Sequence, residues 1–247
     1  IKPFPEMKKR PCIFEYIYFA RPDSVFGEKS IYECRKNFGH ELASEAPCFA
    51  DIVVPVPDSG VPAALGYAEA AGLPFELGII RNHYVGRTFI EPQQSTRDFG
   101  VKLKHNINRN AVSGKKVVLI DDSIVRGTTS VKIVELMRQA GAREVHMKIA
   151  SPPIKYPDFY GIDTPEKAQL LASLKSEKEM ATYIGADSLS FLSVDGLYRA
   201  MGHEKGRDDT NPAFTDHCFT GDYPTPLEDN NIAWLFETSQ LSVRNEN

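Results

Sequence analysis

The 247-residue sequence has little cysteine and no disulfide pattern. Its four cysteines, Cys12, Cys34, Cys48 and Cys218, are scattered, with no C-x-x-C spacing among them. In a chain this long they read as reduced or buried thiols, which excludes the disulfide framework of a small secreted domain. No stretch approaches the roughly 20 apolar residues that cross a bilayer. The opening charges lack the apolar core of a signal peptide behind them. A cytoplasmic protein with no membrane partner is therefore expected. Excess positive charge is missing too: the formal net charge is −4 and the isoelectric point about 5.9. That argues against general affinity for nucleic acid, which needs a cationic surface. No G-x-x-x-x-G-K-[ST] occurs, so nucleoside triphosphate hydrolysis is a poor reading. There is no internal repeat and no low-complexity run.

What is present suits one large α/β domain with additions. The chain is 42% hydrophobic and 25% charged, enough to bury a real core. Residues 1–11 hold three prolines and four basic residues and read as a linker. Cys12–Ala20 is aromatic and apolar, a candidate strand. Ser30–Glu33 forms a capping box ahead of a helical pattern in Ile31, Cys34, Phe38 and Leu42. Strands are expected at Asp51–Val56, Phe75–Ile80, Lys116–Ile120 and Val145–Ala150, with helices at Ala63–Ala71 and Thr129–Ala140 between them. Strands alternating with helices of this length imply βαβ units and a mostly parallel sheet. Beyond Ser151 the pattern turns to proline-containing loops and helices around Pro165–Ala172, Ser176–Ile184 and Val194–Met201. The stretch His203–Pro226 is rich in Gly, Asp and Pro and is expected on the surface, with a last helix near Ile232–Thr238. The domain reading is a linker over 1–11, a main domain over 12–202 and a C-terminal extension over 203–247.

The chemistry concentrates in Val117–Ser130. Four apolar residues make a buried strand. Asp121 and Asp122 follow at the edge where open α/β sheets bind ligands. Arg126, Gly127, Thr128 and Thr129 then lead into an amphipathic helix, with Thr128 or Thr129 as N-cap and the free amides there forming an anion site. Carboxylates repel phosphate, so the two acids are better used as acceptors for sugar hydroxyls. The ligand suggested is a sugar phosphate with a free diol. A second anion loop is suggested where a strand runs into Pro57-Asp58-Ser59-Gly60, with Pro62 at a helix start; Gly60 and Ser59 let backbone amides approach a ligand closely. Taken alone, this segment is explained equally well as an ordinary strand-to-helix turn. Two such loops after strands of one sheet, with a diol between them, describe phosphoribosyl pyrophosphate (PRPP).

Val117–Ser130 closely resembles the PRPP-binding signature of the type I phosphoribosyltransferases. Within that family the chain resembles the glutamine-dependent amidotransferase branch of purine biosynthesis, through Glu15–Ser24, Arg81–Ile90, Asp121–Ser130 and Tyr160–Asp163. The resemblance implies the family's fold: a parallel sheet flanked by helices, a small hood and C-terminal helical additions. It also implies transfer of phosphoribosyl from PRPP to ammonia, releasing pyrophosphate. Asp121 and Asp122 would hold the ribose hydroxyls; Ser123, Val125, Arg126, Gly127, Thr128 and Thr129 would wrap the 5′-phosphate. Pro57, Asp58, Ser59 and Gly60 would bind pyrophosphate with Arg81. Arg81–Arg97 would be a loop closing over the substrate, with Tyr84, Arg87 and Thr88 acting there and His83, where arginine is common, given no catalytic role. Mg²⁺ would be held mainly by the substrate, with Asp121 and Asp122 as ligands directly or through it.

The same resemblance implies a homo-oligomer, typically a tetramer, inhibited by purine nucleotides. Nothing in these residues corresponds to the family's glutaminase domain, so glutamine hydrolysis is not expected of this chain. One branch of the family carries an iron–sulfur cluster on four cysteines. Cys12 and Cys218 match two ligands, but the other positions fall at Asp158 and near Thr215. Such clusters normally use four thiolates, so none is expected. His217, Asp158 and the two cysteines would in principle suit zinc, with two structural cysteines the simpler reading. A base-salvage phosphoribosyltransferase and a non-catalytic PRPP-sensing regulator are the alternative functions.

Overall fold

The computed structural model describes residues 8–82, 105–162, 164–225 and 227. Its centre is a four-stranded parallel sheet in the order β3-β6-β7-β8, made by Ile52–Pro55, Lys116–Asp121, Glu144–Ile149 and Ser188–Phe191. Val117 to Ile120 of β6 are fully buried, as a strand covered on both faces must be. Burying each such side chain stabilises the fold by about 1.5–3 kcal/mol, so this run anchors the site at its end. Alternation divides the sheet between two cores. Val53, Val118 and Ile120 meet helices α1 (Ile31–Glu45) and α2 (Val61–Ala71). Ile52, Val54, Val117 and Leu119 meet the opposite layer. After the four-residue turn α3 (Arg109–Val112), that layer contains α4 (Thr128–Gln139), the short α5 (Leu171–Leu174) and α6 (Glu177–Ile184). On the first face α7 (Val194–Ala200) packs along α1, where Arg199 Nε sits 2.9 Å from Glu41.

Two antiparallel pairs complete the strands: β1 (Val25–Phe26) with β2 (Lys29–Ser30), and β4 (Ile79–Arg81) with β5 (His105–Ile107). The second pair is what the described residues show of the expected hood. Tyr84, Arg87 and Thr88, with His83, Asp163 and the helix expected at Ile232–Thr238, lie outside the described residues.

Three expectations are corrected. Cys12–Ala20 is not a strand: after one bridging residue, Cys12 opposite Thr215, the chain winds into a π-helical turn at Glu15–Phe19. Its aromatic residues satisfied strand composition without strand alternation, and Ile13, Phe14, Tyr16 and Ile17 are all buried. The stretch after His203 is not all surface. Asp216 is fully buried, taking Tyr198 Oη at 2.7 Å and Arg207 Nε at 2.7 Å, and Phe214, His217, Cys218 and Phe219 are buried around it. Helix α8 (His217–Thr220) belongs to this buried segment. Polar composition suggested a loop; a paired carboxylate let the loop go inside. Strand β8 was not anticipated, because Ser188-Leu-Ser-Phe191 is too short for a clear period.

Candidate active site

Both expected phosphate loops leave the carboxyl ends of neighbouring parallel strands. β3 pairs with β6 in the register Pro55 to Ile120, so Val56–Gly60 and Asp121–Gly127 emerge side by side. Backbone bonds fix the junction: Val56 donates to Ile120 at 2.8 Å, and Gly60 donates back to Val56 at 3.0 Å. Gly60 is required by closeness. A Cβ there would lie 2.6 Å from the Ile120 carbonyl oxygen and 2.8 Å from that of Val56, both backbone atoms that cannot swing away. Pro62 stands at the start of α2, as the sequence suggested. Asp58 and Ser59 lie at the loop tip, where the Asp58 carboxylate pairs with Arg81 at the end of β4. The Pro57–Asp58 peptide is cis.

The N-cap expectation needs correcting. The cap of α4 is Gly127, at φ +76°, and neither Thr128 nor Thr129 makes a capping side-chain bond. Glycine takes this left-handed backbone without the cost a Cβ incurs. Thr128 and Thr129 become the first helical residues, exposed, with the amides of that first turn lacking intrahelical partners. Such a terminus favours a phosphate. Arg126 is exposed and its Nε donates to Gln169 at 3.2 Å.

A cavity of about 450 Å³ opens along the second of these loops and the start of α4. One wall is the continuous run Asp121–Ser130; the other is Phe14, Tyr18, Phe19, Ile154, Ile162, Thr164 and Pro165, with Asp158 and Cys218 at its end. Asp121 and Asp122 are only 8% and 6% exposed, yet both line this space. Oδ1 of Asp121 accepts the Asp122 amide at 2.9 Å, and Oδ1 of Asp122 accepts the Ser123 hydroxyl. Burial raises both carboxyls above the ordinary range, and the charge of Asp122 raises Asp121 further. For Asp122, bonds from Ser123 and Ser59 and the charge of Arg35 act in the opposite direction. Two adjacent carboxyls, poorly hydrated and facing a cavity, are acceptors awaiting donors. The pyrophosphate-loop residues do not line this cavity in the present arrangement, although their loop adjoins it.

Residues 28–150 match the family described as the phosphoribosyl transferase domain. Amidophosphoribosyltransferase of Rhizobium etli is 64% identical over 231 residues, covering 93% of this chain and 46% of that protein. Residues 28–150 belong to the phosphoribosyltransferase family. The Bacillus subtilis amidophosphoribosyltransferase is 54% identical over 216 residues, 87% of this chain and 45% of its own length. A solved structure of glutamine PRPP amidotransferase from B. subtilis, complexed with ADP and GMP, superposes with a TM-score of 0.82 at 52% identity. It covers 92% of this chain and 50% of that one. The chain thus spans about half the length of the curated relatives it matches.

Sequence reading found the acid pair and the phosphate loop but missed the opposite wall. Phe14, Tyr18 and Phe19 fell within a segment read as a strand, Ile154 within an unassigned loop, and Pro165 at the start of an expected helix. The available signal was aromatic density: Phe14 and all five residues of Tyr16–Ala20 are aromatic or apolar, with Tyr18 49% and Phe19 46% exposed. Exposed aromatic side chains beside a buried acid pair mark a wall that serves a ligand.

Below the cavity, Asp158 and His217 form a buried pair with Oδ2 and Nε2 at 2.8 Å. The approach is off the line of a hydrogen bond, so neither ring nitrogen of His217 has an aligned partner among the described residues. Burial lowers the pKa of His217 while Asp158 opposes that shift. Cys12 and Cys218 are nearby, and burial pushes both thiols up. Among the described residues no three His, Cys, Asp or Glu side chains are arranged to hold a metal ion.

Proposed function

We propose that the chain transfers the phosphoribosyl group of PRPP to ammonia, giving 5-phosphoribosylamine and pyrophosphate, the first committed step of purine biosynthesis. One observation carries this reading: a single cavity is walled by the buried acids Asp121 and Asp122 and by the amide-rich start of α4. In the reaction the bond from C1 to the pyrophosphate oxygen breaks and its electron pair leaves with pyrophosphate. The ammonia lone pair forms the new C–N bond, and the nitrogen then sheds a proton. Positive charge develops on the sugar ring as that bond breaks, as in glycoside cleavage.

Asp121 and Asp122 accept from the ribose hydroxyls and hold the ring. Ser123, Val125, Arg126, Gly127, Thr128 and Thr129 grip the 5′-phosphate. Pro57, Asp58, Ser59 and Gly60, with Arg81, receive the departing pyrophosphate, which requires Arg81 to exchange Asp58 for phosphate oxygens. The aromatic wall keeps water from the activated carbon. Tyr84, Arg87 and Thr88 are assigned to the closing loop on sequence grounds.

The oxygen donors at Asp121 and Asp122 suit a hard divalent cation. Mg²⁺ there would draw charge from the leaving pyrophosphate. We propose no iron–sulfur cluster: Cys12 and Cys218 offer two thiolates where such clusters normally use four, and Asp158 is already engaged with His217. Inhibition by purine nucleotides, a homo-oligomeric state and a cytoplasmic location complete the proposal. The first draws support from the B. subtilis structure with ADP and GMP.

The test is pyrophosphate release from PRPP with Mg²⁺ and ammonium at alkaline pH. Release that depends on ammonium supports the reading. Release only with a purine or pyrimidine base would favour base salvage. PRPP binding with no release under any acceptor would favour a regulator.

A further inference from the structure

Arg35 is a charged residue in the middle of α1, yet only 4% of it is exposed. Its Nε donates to the Tyr16 carbonyl at 2.9 Å, and its Nη2 donates to the Ala20 carbonyl at 2.8 Å. Those two carbonyls bracket the end of the π-helical turn that carries Tyr18 and Phe19 into the cavity wall. The fork geometry of a guanidinium lets one side chain hold both. The turn has a further tie in Tyr16 Oη, which donates to the Phe26 carbonyl at 3.3 Å.

We propose that Arg35 is a positioning residue for phosphoribosyl transfer, fixing the Tyr18–Phe19 wall of the cavity to α1. The wall cannot swing away from the cavity without breaking both bonds to α1. This inference rests on the proposed activity, so wild-type ammonium-dependent pyrophosphate release is measured in the same series; its absence would refute that activity and leave the exchange experiment below to judge Arg35.

Two variants separate fork from charge. Arg35→Lys keeps the charge but cannot hold two carbonyls at once; Arg35→Gln loses both. Hydrogen exchange over Glu15–Ala20 should rise about tenfold or more in both, because the turn loses a tether and opens locally. With ammonium as acceptor, kcat should fall in both. The KM for PRPP should stay within about threefold of wild type in both, as expected when an interaction that positions the reacting centre is lost and ground-state binding is not. A merely structural role would lower the melting temperature without this split between KM and kcat. Unchanged exchange in Arg35→Lys overturns the tether, and a KM raised as much as kcat is lowered overturns the positioning role. If Arg35→Gln does not fold, Arg35→Lys decides: raised exchange with lowered kcat at near-normal KM supports the inference, and wild-type values throughout overturn it.

Discussion

Replacing Asp121 by Asn should make the protein more stable and less active. Asp121 and Asp122 are adjacent, 8% and 6% exposed, and burial holds both carboxyls above their ordinary range. A folded-state pKa raised above the unfolded value of 3.8 means that the folded chain keeps protons the unfolded chain releases. The stability this contributes is present below that value and is lost as pH climbs through the folded pKa. By neutral pH the fold carries two crowded acids it would be better without. Asparagine removes one charge, its Oδ1 can still accept the Asp122 amide, and its new N–H groups face a cavity able to hold water. Relief of a strained functional site is commonly worth about 0.5–2 kcal/mol, and for a chain of this size each kcal/mol moves the melting temperature by about 2–4 °C.

The functional cost has the opposite sign. A hydrogen bond to a charged acceptor contributes about 1.5–3 kcal/mol, so losing the charge should weaken PRPP binding roughly 10- to 100-fold. The assay is urea or thermal unfolding of both proteins from pH 4 to 8 without Mg²⁺ or PRPP, beside PRPP titration at pH 7.5. The stability gap should widen with rising pH. A variant less stable than wild type at pH 7.5, or one binding PRPP equally well, would refute the reasoning.

Gly127→Ala should destabilise by about 1–2 kcal/mol, the ordinary cost of a side chain in left-handed backbone, and weaken PRPP binding because the new Cβ would press on Leu171 at 2.5 Å; calorimetry and a PRPP titration report the two effects. Gly60→Ala forces a Cβ against two backbone oxygens and should cost about 1–3 kcal/mol; its KM for PRPP should rise more than that of an exposed control such as Gly72→Ala. Asp158→Ala removes the partner of buried His217 and the acceptor of the Tyr160 and Ile162 amides at 2.7 and 2.9 Å. A loss of about 1–3 kcal/mol is expected for leaving buried donors without their acceptor, read as a lower urea midpoint.

What could be read from sequence was local. Strand, acid pair, glycine and helix lie within fourteen consecutive residues, Val117–Ser130, and each makes its signal through its neighbours. The parallel sheet followed from the spacing of apolar runs. The cap was misplaced by one residue because Thr is a good N-cap by propensity, while the chain here needs left-handed backbone that Gly127 alone supplies. The aromatic turn at Glu15–Phe19 lies about a hundred residues from Asp121, and only the fold brings them together. Asp216 misled for a related reason. Its partners Tyr198 and Arg207 lie 18 and 9 residues away, beyond any local pattern, so a buried ion looked like a surface loop.

This division has a physical basis. The phosphate grips use backbone amides, which any sequence possesses, so what must be encoded is shape: a glycine, a turn and a helix start. The acids and the aromatic wall use side chains brought from distant segments, and their placement depends on buried contacts that cost stability when left incomplete. Arg35 lies where these two kinds of construction meet. It spends a buried charge on fixing the wall, which would not be needed if the chain had only to fold. A residue whose burial is explained by the site, and not by the core, is where mutation should separate activity from stability most cleanly. Arg35→Lys and Asp121→Asn should therefore move in different directions on the stability axis while both lower turnover, a pattern that loss of folding alone cannot produce.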